Sequence, residues 1–217
     1  MSARRAPAWL VLLFGLAVAT AVLLTGPLLL FVPPFVSFEQ SRHDVPTLLR
    51  TDLATVDRAT TSMLGDLLLG GDFGVSIGGA QPVLDQAERS HMRDVGAVVR
   101  GLILADALAL AILIVIGRRL RGEPFRRGRA MLAAAVGIGT AAVLLGFFFA
   151  VAFDAAFAAF HAIFFAAGTW QFGPDSNLLR FFPEPFWYEI ALVAGVTILI
   201  GAVLVALLGV RDMRRAD

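Results

Sequence analysis

The chain has 217 residues, of which 58% are hydrophobic, more than the roughly half that is usual in soluble domains. Its mean hydropathy of +0.80 argues against a soluble protein. The net charge of +1 gives no support to nucleic-acid binding. Because the sequence contains no cysteine, a thiol nucleophile, a disulfide and a Cys-ligated metal are excluded.

Four apolar stretches are long enough to cross a bilayer, which takes about 20 residues as helix. They cover residues 7–32, 95–117, 130–153 and 190–210. The first is too long for the apolar region of a signal peptide and has no plausible cleavage point, so we expect it to remain as a helix. The sequence therefore predicts an all-α membrane protein with four transmembrane helices, forming one integral membrane domain over residues 1–217.

Arginine placement predicts the orientation, because cytoplasmic loops near helix ends are rich in basic residues. Arginines flank three segments: before the first span, between the second and third, and after the fourth. They are Arg4, Arg5, Arg118, Arg119, Arg121, Arg126, Arg127, Arg129, Arg211, Arg214 and Arg215. We therefore expect both termini in the cytoplasm, and residues 33–94 and 154–189 outside. The basic inner loop also suits contact with anionic lipid.

The first exterior segment predicts a mainly helical cap. Apolar residues recur at helical spacing from Asp44 to Leu69, with Asp44 suited to capping the helix and Gly70 to ending it. The Gly-rich residues 73–79 predict a short strand or a loop. A further helix is expected from Pro82, running unbroken into the second span and placing His91 about one turn above the membrane. His43 lies in a polar run typical of a solvated loop.

The second exterior segment stays apolar and aromatic after the third span. Residues 155–167 are too few to cross again, so we expect them to lie at the membrane interface or to dip partly into the membrane. An interfacial belt of aromatic residues follows: Trp170, Phe172, Phe181, Phe182, Phe186, Trp187 and Tyr188. His161 lies within this zone.

His91 and His161 are the strongest candidates for chemistry. They fall at the outer ends of the second and third spans, and a short inner loop brings those ends together. A single interfacial histidine is more often a polar tip bound to backbone or water. A zinc or haem site is another interpretation of the pair, but no third ligand at helical spacing accompanies it. Asp154, seven residues before His161, is either an orienting carboxylate or a helix-end residue facing water.

Two further charged residues have weaker signals. Asp106 lies inside the second span, where a carboxylate is usually paired; Arg100 is a candidate partner, and lining a wet cavity is the alternative. Arg58 is a possible ligand for an anion or carbonyl, although a solvated arginine is the more common arrangement. The catalytic motifs His-Glu-x-x-His, Gly-x-Ser-x-Gly and Gly-x-Gly-Asp do not occur.

Two stretches carry a resemblance to a known family. Residues 90–95 read Ser-His-Met-Arg-Asp-Val, similar to a His-Phe-x-Asp-Val-Lys pattern with Gly96 in place of the lysine. Residues 160–165 read Phe-His-Ala-Ile-Phe-Phe, and Trp170, Phe172, Pro174 and the run 182–186 follow. Both stretches resemble the four-span bacterial family of lipoprotein intramolecular transacylases, Lit. Asn177 stands where that family often has Asp.

The resemblance implies an enzyme that moves an acyl chain from the glyceryl ester of a diacylglyceryl-cysteine lipoprotein to its own N-terminal amine. It implies a catalytic pair of His91 and His161 at the outer leaflet of the bacterial cytoplasmic membrane. Trp170, Asn177 and the second histidine of the pair are then candidate oxyanion donors, and Arg58 is a candidate substrate ligand. The expected partners are modified lipoproteins and membrane lipids, and no cofactor or metal is expected. The alternative is a scaffold or small-ligand carrier with structural histidines.

Overall fold

The computed structural model describes residues 5–79 and 81–216, so Arg4 of the orientation argument lies outside the described residues. All regular secondary structure in this part is helical, as predicted. The α-helices are α1 Ala8–Leu28, α2 Pro33–Arg42, α3 Val45–Leu48, α4 Leu53–Leu69, α5 Gln86–Arg119, α6 Pro124–Val151, α7 Phe153–Phe164, α8 Asn177–Phe181 and α9 Glu184–Arg214. A 3₁₀ turn, Leu120–Gly122, joins α5 to α6.

Four of the described helices are long and apolar enough to cross a membrane. They are α1, α5 with its 3₁₀ turn, α6 and α9, which confirms the number of spans predicted. Helix α7 is apolar but has only 12 residues, too few to cross a bilayer of about 30 Å. The orientation of the chain in the membrane stays a prediction.

The described residues divide into two compact units. The first, here called the bundle unit, contains residues 5–28, 102–147 and 193–216. The second, the site unit, contains Leu29–Gly101 apart from Ala80, and Phe148–Leu192. Helices α5, α6 and α9 contribute residues to both units.

The bundle unit packs its helices around an apolar core that includes Phe14 and Leu120. Helices α6 and α9 approach closely at Gly128 and Gly209, where a Cβ atom on either glycine would meet the other's carbonyl oxygen. Asp106 is 8% exposed and both its oxygens accept from the Thr25 hydroxyl, at 3.0 and 3.2 Å. The hydroxyl thus partners the buried carboxylate.

The prediction of one continuous exterior helix from Asp44 to Leu69 is wrong, because helical structure is interrupted between α3 and α4. Arg50 has a positive φ of 53°, and Asp52 caps the next helix through its side chain, which accepts from the Thr55 backbone N–H at 2.9 Å. Asp44 makes no side-chain cap and itself has a φ of 52°. A capping aspartate eight residues into the expected helix starts a new one, because it satisfies backbone donors that would otherwise bond within a longer helix.

Other parts of the site unit agree with the sequence. Helix α4 ends at Gly70, whose φ of 88° is the left-handed conformation expected there. The described residues from 71 to 79 form a loop, and α5 then runs unbroken for 34 residues. The core of this unit includes seven apolar residues that are at most 2% exposed: Val45, Val56, Ala59, Met63, Phe73, Leu84 and Phe181.

Candidate active site

Helices α5 and α7 bring His91 and His161 together, as the sequence predicted. The ring centroids lie 6.0 Å apart and the ring planes meet at 27°, so the imidazoles are stacked. The residues are 6% and 8% exposed respectively. Two neighbouring imidazoles with this little exposure form a site where a proton can pass between side chain and substrate out of bulk water.

Aromatic rings surround the pair. Phe165 contacts both histidines, with its centroid 4.9 Å from His91 and 5.5 Å from His161. Phe172 lies 5.6 Å from His91, and Trp170 lies 4.6 Å from His161. The residues after α7 therefore wrap the imidazoles in an apolar wall that limits water.

A backbone carbonyl fixes the orientation of His161. Its Nδ1 lies 2.8 Å from the carbonyl oxygen of Phe157, one helical turn earlier. Because a carbonyl only accepts, Nδ1 carries the proton, and Nε2 of the neutral ring is left with its lone pair free. Asp154 is exposed, so of its two alternatives the helix-end residue facing water is the one observed, and the Phe157 carbonyl orients the ring.

Burial lowers the pKa of His161 below its ordinary value, since the charged ring loses hydration, while the bond to Phe157 acts in the opposite direction. The ring is therefore mostly neutral at pH 7. A neutral imidazole with a free Nε2 is competent as a general base. His91 keeps its Nδ1 buried and without a hydrogen-bond partner among the described residues.

Glu88 joins the start of α5 to the loop before α8, and sequence reasoning missed it. Its carboxylate is 2% exposed and accepts from the Ser176 hydroxyl at 2.5 Å and the Leu178 N–H at 3.0 Å. Its other oxygen accepts from the Asp85 N–H at 2.8 Å, while its own N–H donates to the Asp85 carboxylate. Asp85 and Glu88 have the spacing of a capping box, the signal that could have identified this helix start.

Two predicted oxyanion candidates differ in their surroundings. Trp170 is half-buried with its ring against His161. Asn177 instead donates from its amide to the Val83 carbonyl at 2.7 Å and accepts from Arg180 at 3.2 Å. The structure thus keeps Trp170 beside His161, whereas Asn177 holds α8 to the chain before α5.

Arg58 lies in a different place from the histidine pair. It is exposed and lines a cavity of about 500 Å³. The cavity is lined by Thr51, Thr55, Arg58, Ala59, Val75, Ser76, Ile77 and Gly78. The Arg58 guanidinium donates to the Thr55 hydroxyl at 2.8 Å. Neither histidine of the pair belongs to this lining.

The prediction that His43 lies in a solvated loop is wrong in its solvation, although His43 does lie in a turn between helices. His43 directly follows α2 and its side chain is only 14% exposed. Glu39 and Gln40, in the same polar run, are 2% and 0% exposed. Gln40 is held by the Phe181 carbonyl and the Thr60 hydroxyl, at 3.0 and 2.8 Å. These tertiary contacts bury a run that polarity alone assigns to solvent.

Comparison with known proteins points to one family. A family model described as "Lipoprotein intramolecular transacylase Lit" matches residues 10–187. The crystal structure of the membrane integral lipoprotein intramolecular transacylase Lit from Bacillus cereus is similar, with a TM-score of 0.84, 17% identity and 96% of each chain covered. Two variants of that protein, with one histidine replaced by arginine or by alanine, match with TM-scores of 0.76 and 0.77, each at 17% identity. They cover 96% of this chain and 92% and 94% of theirs. No curated protein matches the chain in sequence.

Proposed function

The chain belongs to the lipoprotein intramolecular transacylase family, Lit, and on that premise we propose that it transfers an acyl chain within one lipoprotein molecule. The chain would leave the glyceryl ester of a diacylglyceryl-cysteine and join the α-amine of the same cysteine. The product would be a lyso-lipoprotein with an N-acylated end. The observation that carries this proposal is the stacked pair of His91 and His161, with centroids 6.0 Å apart.

In the proposed reaction His161 is the general base. Its Nε2 accepts a proton from the substrate amine, which attacks the ester carbonyl carbon to give a tetrahedral intermediate. The carbon–oxygen bond to glycerol then breaks, an amide forms, and the proton passes to the glycerol oxygen. The bond from Nδ1 to the Phe157 carbonyl supports this role, because it holds the ring and fixes the required tautomer.

His91 and Trp170 are the proposed partners of His161. His91 would donate a hydrogen bond to the carbonyl oxygen as it gains charge, with the indole N–H of Trp170 as a second donor. A donor of this type contributes about 3 kcal/mol in other acyl-transfer sites. Because the attacking amine and the ester belong to one molecule, their positioning by the aromatic wall can lower the activation free energy by about 7 kcal/mol or more.

The orientation proposed is that of the sequence analysis, with termini in the cytoplasm and the histidines at the outer leaflet. Lipoproteins modified with diacylglycerol would then reach the site from the membrane. A scaffold or carrier with structural histidines would not require the two imidazoles to meet, so their stacking supports the enzyme.

The test is conversion of a synthetic diacylglyceryl-cysteine peptide by the purified protein in detergent. Intramolecular transfer leaves the mass unchanged, so the product is identified by tandem mass spectrometry and by mild alkali. Alkali releases both acyl chains from the substrate, but only one from the product, because the amide survives.

Two histidine variants and one control complete this test. His91→Gln and His161→Gln should each abolish conversion, and the double variant should be no worse than either, since the two act as a unit. Asp154→Asn, on the same helix as His161, should retain activity because the Phe157 carbonyl orients the ring. Full activity in both folded histidine variants contradicts the assignment and favours the scaffold.

A further inference from the structure

A second group of titratable side chains lies in the site unit and takes no part in the proposed reaction. Glu39 on α2, His43 at the end of α2 and Glu189 on α9 converge, and one ligand atom from each lies within 4.8 Å of the others. Glu39 and His43 are four residues apart, a spacing that places them on the same side of the helix. Nε2 of His43 is 3.9 Å from Glu39 Oε2 and 3.6 Å from Glu189 Oε1.

These distances are too long for hydrogen bonds and leave two of the atoms unsatisfied. Glu39 Oε2 and His43 Nε2 are both buried and have no hydrogen-bond partner among the described residues. Glu39 as a whole is 2% exposed. A buried carboxylate oxygen and a buried imidazole nitrogen that face each other without a bond need a shared partner, because leaving either unpaired costs free energy.

The charge of the group also favours a cation. Two carboxylates, those of Glu39 and Glu189, meet beside the His43 ring, and their like charges repel each other unless a cation lies between them. Arg42 is paired with Glu189 at 2.5 Å and lies 3.5 Å from Glu39. The Arg42 side chain is 48% exposed, so it can move into solvent when a metal ion binds the two carboxylates.

We propose that Glu39, His43 and Glu189 bind one Zn²⁺ ion that ties α2 to α9. Two carboxylates and one imidazole are ligands that zinc accepts, whereas calcium and magnesium prefer oxygen alone. Zinc bonds of about 2.0–2.1 Å in a tetrahedron place the ligand atoms about 3.3 Å apart. The two observed separations of 3.6 and 3.9 Å need a contraction of only tenths of an ångström. Water takes the fourth position.

This ion is structural, and it goes beyond the proposed function rather than resting on it. The rival state of the group is a proton held on Glu39 and shared with Glu189, with Arg42 compensating the remaining charge. The two states differ in a measurable way, because zinc must displace both the Glu39 proton and the Arg42 contact.

The test is isothermal titration of Zn²⁺ into the full-length protein, freed of metal with chelator and carrying no histidine tag. One site should appear. His43→Gln and Glu39→Gln should each weaken its affinity by more than about 100-fold, since changes that only touch outer contacts of a metal site already cost 10- to 100-fold. Arg42→Gln should bind zinc more tightly, because a competing cation is removed.

The matched control is His91→Gln, which removes a buried histidine outside the group and should leave zinc affinity unchanged. X-ray absorption at the zinc edge of the wild-type protein should show one imidazole and oxygen ligands at about 2.0–2.1 Å; it does not depend on any variant folding. No site tighter than tens of micromolar, equal affinity in folded His43→Gln, or a spectrum with two imidazoles overturns the proposal.

Discussion

Replacing Glu88 with glutamine should destabilise the protein and impair the site, because this buried carboxylate links α5 to the start of α8 through Ser176 and Leu178. An amide keeps one accepting oxygen but puts an NH₂ group where the other oxygen stood. If the oxygen stays with Ser176 and Leu178, the NH₂ group faces the Asp85 N–H and two donors are left opposed. If the amide is turned the other way, the Ser176 hydroxyl and the Leu178 N–H lose their acceptor instead.

The magnitude follows from these contacts. Losing a hydrogen bond to a charged acceptor costs about 1.5–3 kcal/mol, and a buried unsatisfied donor costs about 1–3 kcal/mol. These contributions overlap, so we expect Glu88→Gln to lower the free energy of unfolding by about 2–4 kcal/mol. The turnover number should fall on the order of 10- to 100-fold, because small displacements of a positioned site are amplified in rate.

The assay is unfolding of the detergent-solubilised protein by titration with dodecyl sulfate, followed by tryptophan fluorescence, alongside the conversion assay. Asp85→Asn is the control, since asparagine also accepts at a helix N-cap and should change stability little. The pH dependence of the residual Glu88→Gln activity should match the wild type, because Glu88 positions the site and does not exchange protons with substrate. A loss of stability under about 0.5 kcal/mol with normal turnover would refute this reasoning.

Two more predictions concern pH and helix packing. Catalytic efficiency should rise with pH through the substrate amine, near pH 8, and through an enzyme group that titrates below 6.5, because burial lowers the pKa of His161. A plot of log kcat/KM against pH should therefore keep a slope of one down to pH 6.5 and become steeper only below that pH. A slope that already increases above pH 6.5 contradicts a base that is neutral at pH 7. Gly128→Ala should lower the free energy of unfolding by about 1–3 kcal/mol, since its methyl meets the Gly209 carbonyl. Gly137→Ala, on the same helix with open space around its Cβ, should not, and equal effects would refute the packing argument.

Hydropathy and span order were sufficient to predict the framework of the site. Four long apolar runs identify the four helices, and a short link between the second and third spans places their far ends near each other. Because His91 lies near one of those ends and His161 on α7, which follows directly after the other, the sequence could predict that they meet. The family resemblance rested on the same two stretches.

Contacts across the site unit were not predictable in the same way. The polar run containing Glu39 and His43 has the composition of a loop, and only the packing of α2 against distant residues such as Phe181 and Glu189 buries it. The orienting partner of His161 is a backbone carbonyl, which a side-chain pattern cannot reveal, so the sequence left the role of Asp154 open between an orienting carboxylate and a residue facing water. Asp52 shows the reverse case, since a capping residue was present in the sequence and the prediction from apolar periodicity missed it.

The most direct test of the central claim is a crossover experiment with two lipopeptides. One carries a light peptide with deuterated acyl chains, the other a heavy peptide with unlabelled chains, and both are mixed with the enzyme. We predict that every N-acylated peptide keeps an acyl chain from its own glyceryl group, and that His161→Gln forms no such product. N-acylated peptides carrying the other substrate's chains would contradict transfer within one molecule.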